Sequence, residues 1–290
     1  MASKKVLIIG PGYIGWNILF HTATADDLPS AEAILDGIQE RADSGLGTIY
    51  IHTSGTAMTS DDGRGAFKSN KVYHDDVTTE IDSLSDDAPH RQVDIPIVKA
   101  QKRLGAKAKI AIMVPPTIYG VNPKHGRLSM QIPTLARYAL KRGFSGYVGE
   151  GLSVHNNIHV LDIARATRGT TSQAGRKSPL LSETDRTPRP IPEDTYGDVC
   201  GSETDAGVGM NSRTRAVRLR ALEWKPVEKN WQASFAEGEL PCILKEGRQI
   251  RGQSGTAFSG VAEWKIGVHS GDTEVTLRGA RLSCDCLFLD

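Results

Sequence analysis

The chain has 290 residues, 39% hydrophobic and 24% charged, proportions typical of a soluble globular protein with one large domain or two small ones. Its 35 Lys and Arg balance 34 Asp and Glu, so the net charge of +1 argues against nucleic-acid binding driven by bulk charge. No stretch approaches the roughly 18 apolar residues of a membrane helix.

The chain start and the cysteines indicate a reducing compartment. Residues 6–9 are too short an apolar run for a secretory signal, so we expect a cytoplasmic protein. The cysteines are too few for a disulfide scaffold, and Cys284 and Cys286 lack the spacing of a zinc site. We therefore expect no metal.

Hydrophobic periodicity predicts alternating strands and helices in the first half of the chain. Short apolar runs predict strands at residues 6–9, 48–52 and 109–114. Apolar residues at helical spacing predict helices at residues 28–42, 90–104 and 130–142. Pro96 is expected to bend the second helix, and the polar stretch 61–89 is predicted as a long surface loop. The alternation indicates an α/β fold, a Rossmann-like parallel sheet with flanking helices.

The sequence changes character after residue 166. Residues 167–207 are polar and show no periodicity, which predicts loop or disorder. Residues 211–222 predict a helix capped by Asn211 or Ser212. Residues 248–290 are rich in glycine, with a hairpin predicted at 262–268 and 274–277. The predicted units are a truncated Rossmann-like domain at 1–166, a flexible insert at 167–210, the helix and turn of a small C-terminal substrate lobe at 211–247, and a poorly ordered tail at 248–290.

A glycine-rich turn directly follows the first predicted strand. The first glycine of a GxGxxG pattern permits the tight turn, the second lets the backbone approach a pyrophosphate, and the third lets the next helix pack closely. Backbone N–H groups at the start of that helix favour the phosphate charge. The pattern predicts dinucleotide binding; the alternative is a turn without a ligand. Its residues are Gly10, Pro11, Gly12, Tyr13, Ile14 and Gly15.

The segment after this turn departs from the dinucleotide-binding pattern. The apolar residues 18–20 follow Gly15 too closely, because a parallel crossover with its helix needs at least ~10–12 residues. The second strand, whose acidic residue would hold the ribose, is therefore missing. Asp26 and Asp27 lie at about the right distance but are better explained as a helix N-cap pair.

Five stretches, in family order, resemble the extended short-chain dehydrogenase/reductases, the NAD(P)-dependent epimerase/dehydratase group, and especially its atypical, NmrA-like members. They are VLIIGPGYIG, IYIHTSGTAM, IAIMVPPTIYGVN, NNIHVLDIARA and NSRTRAVRLRALEWKPVEKNW. The resemblance implies NAD or NADP as cofactor and redox chemistry on an alcohol, aldehyde or sugar-like carbonyl. It implies a small-molecule substrate, no nucleic-acid or membrane partner, and is compatible with a homodimer.

The resemblance also implies roles for particular residues. Thr53 or Ser54 would lie near the substrate carbonyl or a cofactor hydroxyl; the alternative for both is turn formation after a strand. Thr22 and Ala23 would end a strand beside the cofactor. The nicotinamide would lie near Pro115, Pro116, Thr117 and Ile118.

The catalytic pair of the family is absent. Its proton donor is a Tyr with a Lys four residues later, and none of the seven tyrosines has that partner. On the predicted helix, Lys99 and Lys102 are preceded at this spacing by Ile95 and Val98. His90 could replace the acid because histidine titrates near neutral pH. The alternative is a solvated histidine in the loop or at the helix start.

Relative to the family, Gly15 is joined almost directly to a later segment, as a deletion or a misassembled or alternatively spliced gene would explain. Three functions stay open: an NAD(P)-dependent oxidoreductase, a non-catalytic NAD(P)-binding or sensing protein, and a degenerate protein that binds no dinucleotide.

Two further clusters are interpreted without a ligand. His155, His159 and Asp162 lack the pattern of a metal site. A basic stretch is interpreted as a solvated face, with phosphate contact as the alternative: Arg213, Arg215, Arg218 and Arg220.

Overall fold

A computed structural model describes residues 21, 25–166, 188–199, 207–253 and 287–289 of the chain. The helices are α1 (Leu28–Asp43), α2 (Thr78–Asp82), α3 (Arg91–Leu104), α4 (Gln131–Arg142), α5 (Val160–Ala166), α6 (Val217–Ala221), α7 (Trp231–Ser234) and α8 (Leu240–Gln253). The strands are β1 (Thr48–Thr53), β2 (Tyr73–His74), β3 (Ala108–Val114), β4 (Thr117–Tyr119), β5 (Gly146–Tyr147), β6 (Asn157–His159), β7 (Arg189–Pro190), β8 (Thr214–Arg215) and β9 (Leu287–Leu289). None of the helices in these ranges is both long and apolar enough to cross a bilayer.

The central sheet is built on a parallel pair of strands. β1 and β3 pair in parallel from Thr48 opposite Ala108 to Thr53 opposite Met113, and β9 adds antiparallel to the other side of β3. On the free side of β1, His21 forms a parallel bridge with His52. The Thr53 N–H donates to the His21 carbonyl at 3.1 Å, so the chain at residue 21 lies beside β1 as a neighbouring strand would.

Helices cover both faces of this sheet. α1 and α3 pack on one face, where Tyr50 of β1 and Ile112 of β3 enter a common core with them. Strand residues alternate between faces, so Met113 instead packs on the opposite side with Ile163 of α5 and Leu219 of α6. This α/β/α layering confirms the predicted fold class, a parallel sheet with flanking helices.

The strongly periodic segments fold as predicted. The predictions of helix at 28–42, 90–104 and 130–142 and of strand at 48–52 and 109–114 are confirmed within a residue or two. Asp27 caps α1, its side chain accepting from the Ser30 N–H at 3.3 Å, which confirms its interpretation as a cap. Pro96 lies inside α3, and the helix nevertheless continues to Leu104 because its apolar stripe is held in the core.

The predicted helix at 211–222 is wrong in its first half. β8 occupies Thr214–Arg215, and α6 begins only at Val217. The N-terminus of α6 is capped by a residue that is distant in sequence. Asp75 Oδ1 accepts from the Val217 and Arg218 N–H groups at 2.7 and 3.1 Å. Asn211 is used differently, its side chain bonding to the Asp61 carboxylate at 3.0 Å.

Two stretches predicted without regular structure contain short elements. β2 and α2 lie within 61–89, and β2 forms because it pairs with the distant β8. Within 167–207, residues 189–190 form β7 against β5, and a 3-10 helix spans Glu193–Asp198. The predicted strand at 6–9 and the predicted hairpin at 262–268 and 274–277 lie outside the described residues.

Candidate functional site at the carboxyl edge of the sheet

Two segments predicted separately from the sequence lie side by side where β1 and β3 end. The Ser54 N–H donates to the Met113 carbonyl at 2.9 Å, and the Thr56 N–H donates to the Pro115 carbonyl at 3.2 Å. Pro116 follows, and the chain then enters β4. Parallel sheets bind ligands in the crevice outside the carboxyl ends of their strands. The juxtaposition therefore makes this edge the candidate site.

β4 carries the other predicted residues away from β3. Thr117 pairs with Asn157 of β6, and Ile118 packs against the core that covers the second face of the sheet. Both residues are half-buried. Their predicted place beside the nicotinamide stays a prediction.

The phosphate-binding half of the predicted site is not described. Thr22 and Ala23 lie outside the described residues, and so does the glycine turn: Gly10, Pro11, Gly12, Tyr13, Ile14 and Gly15. Their roles stay predictions. The described residue nearest to them, His21, lies beside β1 immediately before Thr22.

The two hydroxyl side chains after β1 differ in their hydrogen bonding. Thr53 is 7% exposed, and its Oγ1 has no hydrogen-bond partner among the described residues. Such a buried, unpartnered hydroxyl is uncommon in proteins and fits a polar atom of a ligand. Ser54 Oγ donates to Asp94 Oδ2 at 2.8 Å, so its single hydrogen is already in use.

Asp94 is a site residue that the sequence analysis missed. It belongs to α3 and is fully buried, and burial raises the pKa of its carboxyl to about 6 although the Ser54 hydrogen bond opposes the shift. Its second oxygen, Oδ1, lies 3.8 Å from His52 Nε2. A signal was present in the sequence: position 94 is three residues before Ile97, on the apolar stripe of α3, where a carboxylate is out of place.

A buried chain of polar groups leads from Asp94 to the start of α1. His52 Nδ1 lies 3.1 Å from His21 Nδ1, and His21 Nε2 lies 3.1 Å from Ser30 Oγ. The Tyr50 hydroxyl also contacts His21 Nδ1 at 3.1 Å. Burial lowers the pKa of His52 to about 3 and lowers that of His21, so both rings are neutral at neutral pH.

Asp94 and His52 are in electrostatic contact but share no hydrogen bond. The 3.8 Å between Asp94 Oδ1 and His52 Nε2 is too long for one, and neither atom has a hydrogen-bond partner among the described residues. The hydrogen-bonded part of this chain of polar groups therefore runs from His52 through His21 to Ser30 at the start of α1.

His90, the predicted substitute acid, begins α3 at the same edge. Its Nδ1 lies 2.7 Å from Asp26 Oδ1, a partner 64 positions away that local spacing could not reveal. The ring lies against Gly55, since a Cβ on that glycine would be 3.0 Å from His90 Nε2. The imidazole therefore stands two residues beyond the end of β1.

The remaining predicted clusters have structural roles. His155 Nε2 contacts the Val208 carbonyl at 3.2 Å, and His159 Nδ1 accepts from the Leu161 N–H at 3.1 Å. Burial lowers the pKa of both rings. In the described part of the chain, no group of three metal-ligating side chains is close enough to hold an ion. In the basic stretch, Arg213 donates to the Ser69 carbonyl at 3.2 Å.

Comparison with known proteins gives distant structural likenesses only. No protein-family model and no curated protein matches the sequence. MoeE5 in complex with UDP-glucuronic acid and NAD is similar over 75% of this chain and 71% of its own, at 16% identity and a TM-score of 0.41. The ADP-L-glycero-D-manno-heptose-6-epimerase of Helicobacter pylori is similar over 73% of this chain and 64% of its own, at 13% identity and a TM-score of 0.41. The UDP-glucose 4-epimerase of Thermotoga maritima, solved with UDP-glucose, is similar over 80% of this chain and 76% of its own, at 14% identity and a TM-score of 0.40. Likeness this distant carries no argument about the site.

Proposed function

We propose that the chain binds NAD or NADP at the carboxyl edge of β1 and β3 and transfers hydride to or from an alcohol, aldehyde or sugar-like carbonyl. The observation that carries the proposal is the pair of backbone hydrogen bonds joining Ser54 to Met113 and Thr56 to Pro115. They bring together two segments that the family resemblance assigns to substrate and nicotinamide. The edge of a parallel sheet is where such ligands bind.

The residues present fit a dinucleotide. The glycine turn at 10–15 would hold the pyrophosphate, and the unpartnered Thr53 hydroxyl supplies a hydrogen bond to a polar cofactor atom. Pro115 and Pro116 would support the nicotinamide from β3. When bound, the nicotinamide ring supplies or accepts the hydride, and the chain orients the substrate and moves the proton.

Binding predicts a rise in melting temperature with NADH or NADPH. A ligand of the native state at 100 times its Kd adds about 2.7 kcal/mol of stability, which corresponds to a shift of about 5 °C at this size. Differential scanning fluorimetry against a series of cofactor concentrations measures the shift. A melting temperature that both cofactors leave unchanged contradicts the proposal and favours a degenerate chain that binds no dinucleotide.

The second candidate, a non-catalytic NAD(P)-binding or sensing protein, is favoured by two observations. Neither lysine of α3 has a tyrosine four positions earlier, since Ile95 precedes Lys99 and Val98 precedes Lys102, and both lysines are exposed. The Ser54 hydrogen points to Asp94 and so is not free to polarise a carbonyl. Cofactor absorbance at 340 nm with panels of alcohols and carbonyl compounds separates the candidates. Turnover supports the oxidoreductase, and binding without turnover supports the sensor.

A further inference from the structure

His90 holds an unfavourable backbone conformation at the start of α3. Its φ of 70° and ψ of −16° are left-handed, and its side chain does not cap the helix. Outside glycine this conformation is unfavourable, and it concentrates at functional sites. The other described non-glycine residues with positive φ are Arg64 and Glu223. The helix uses the His90 backbone carbonyl, which accepts from the Val93 and Asp94 N–H groups at 3.0 Å each. It does not use the ring, which lies against Asp26 and Gly55.

Asp26 fixes the orientation of that ring. The carboxylate can only accept hydrogen bonds, so His90 Nδ1 carries the hydrogen and donates to Oδ1 at 2.7 Å. In the neutral ring the lone pair is then on Nε2, to which no described group hydrogen-bonds. The side chain is 18% exposed, and Nε2 lies beside Gly55 at the candidate site. A carboxylate that orients an imidazole leaves the opposite nitrogen ready to exchange a proton.

We infer that His90, held by Asp26, is the proton acceptor and donor of this site and that the substrate is an alcohol or its carbonyl product. The inference rests on the proposed function. In oxidation, His90 Nε2 would take the proton of the alcohol hydroxyl, and the oxidised nicotinamide, when bound, would accept the hydride from the alcohol carbon. In reduction, the imidazolium returns the proton to the oxygen that the hydride has made basic.

The surroundings of His90 support this role. An imidazolium formed in the reaction is stabilised by Asp26. Ser54, with its hydrogen committed to Asp94, presents an oxygen lone pair and so cannot serve as the acid. The titratable and charged groups that face the ring are Asp26 from the segment before α1, His52 from β1 and Asp94 from α3.

Replacing His90 by Asn tests the assignment in the full chain loaded with cofactor. Asn tolerates a positive φ, so the fold is expected to be kept while the base is removed. We expect kcat for alcohol oxidation to fall about 100-fold or more, with KM and the NADH dissociation constant nearly unchanged. Added imidazole should restore part of the activity. The matched control is Glu223→Asn, an exposed position with φ of 62°, and its kinetics should equal the wild type.

Nitrogen NMR of the ring tests the orientation without turnover. In the neutral wild-type ring we expect a protonated Nδ1 and an unprotonated Nε2, and in Asp26→Ala a mixture of the two forms.

The variant Gly55→Ala tests the position of the ring by kinetics. The backbone φ of −158° at Gly55 suits alanine, and the added methyl would lie 3.0 Å from His90 Nε2, so it should lower kcat by displacing the ring.

Several results would overturn the assignment. It is wrong if His90→Asn keeps wild-type kcat, if the ring shows the hydrogen on Nε2, or if the wild type binds NADH but oxidises no alcohol of the panel. In the last case cofactor binding is still supported, and the result favours the non-catalytic NAD(P)-binding or sensing protein. If neither NADH nor NADPH binds, the proposed function itself fails and this assignment falls with it.

Discussion

Replacing Asp94 by Asn is expected to stabilise the protein above pH 6. Burial raises the pKa of Asp94 from 3.8 to about 6, so the folded state holds the proton more tightly than the unfolded state does. The stability that this tighter proton binding adds is fully present below the unfolded-state pKa of 3.8. It is lost as the pH rises to about 6, and the free energy of unfolding then falls by about 3 kcal/mol. The amide of the asparagine variant carries no charge to desolvate and can accept from Ser54.

The pH dependence of the stability difference identifies the buried charge of Asp94 as its cause. We expect the difference in unfolding free energy between Asp94→Asn and the wild type, from urea denaturation, to grow by about 3 kcal/mol between pH 4 and pH 8. Other titrating groups, including His52, largely cancel in this difference. Asp94→Ala is the control: it leaves Ser54 unpartnered and opens a cavity, so it should lie about 2 kcal/mol below the Asn variant. Parallel pH curves for wild type and Asp94→Asn would contradict the account.

The second large effect is expected at Asp162, which ties α5 to the segment before α7. Its side chain is 1% exposed and accepts from the Val227 N–H at 2.9 Å, the Glu228 N–H at 3.2 Å and Arg165 at 2.8 Å. Alanine leaves two backbone donors and a guanidinium without this acceptor. We expect a loss of about 3–5 kcal/mol, because each backbone donor left unpaired costs about 1–3 kcal/mol, while the part-exposed Arg165 keeps Glu228 as a partner.

Urea denaturation followed by tryptophan fluorescence and circular dichroism measures this loss. Trp224 is a local reporter, because its Nε1 donates to the Asp162 carbonyl at 3.3 Å. Asp162→Asn keeps one acceptor and should lose about half as much stability. The exposed Asp82→Ala is the matched control and should change stability by less than about 0.5 kcal/mol. An equally small loss in Asp162→Ala would show that the segment is held by other contacts.

The part of the fold that the sequence predicted is the part set by local periodicity. α1 and α3 each bury a regular apolar stripe, and β1 and β3 are short apolar runs in the sheet, so spacing along the chain places them. The predicted helix at 211–222 was wrong at its start because its cap, Asp75, lies 142 positions away from Val217. β2 likewise exists only through pairing with β8. Spacing along the chain carries no information about such partners.

The candidate site likewise combines residues that the sequence indicated with partners that only the tertiary fold brings together. The family resemblance implied site roles for Ser54 and Pro115, and their proximity follows from the parallel pairing of β1 and β3. Asp94 was missed although its place on the apolar stripe of α3 marked it as unusual. His90 was named as a candidate, but its partner Asp26 was interpreted only as part of a helix cap, because a contact across 64 positions depends on the tertiary fold.

Calorimetric titration of the full chain with NADH and NADPH tests the central claim, dinucleotide binding, most directly. We predict saturable binding of at least one cofactor with a Kd well below ~1 mM, and its loss in Gly12→Val, since a side chain there would keep the backbone from the pyrophosphate. Binding of both cofactors at millimolar affinity or weaker, or equal binding by Gly12→Val, would contradict the account.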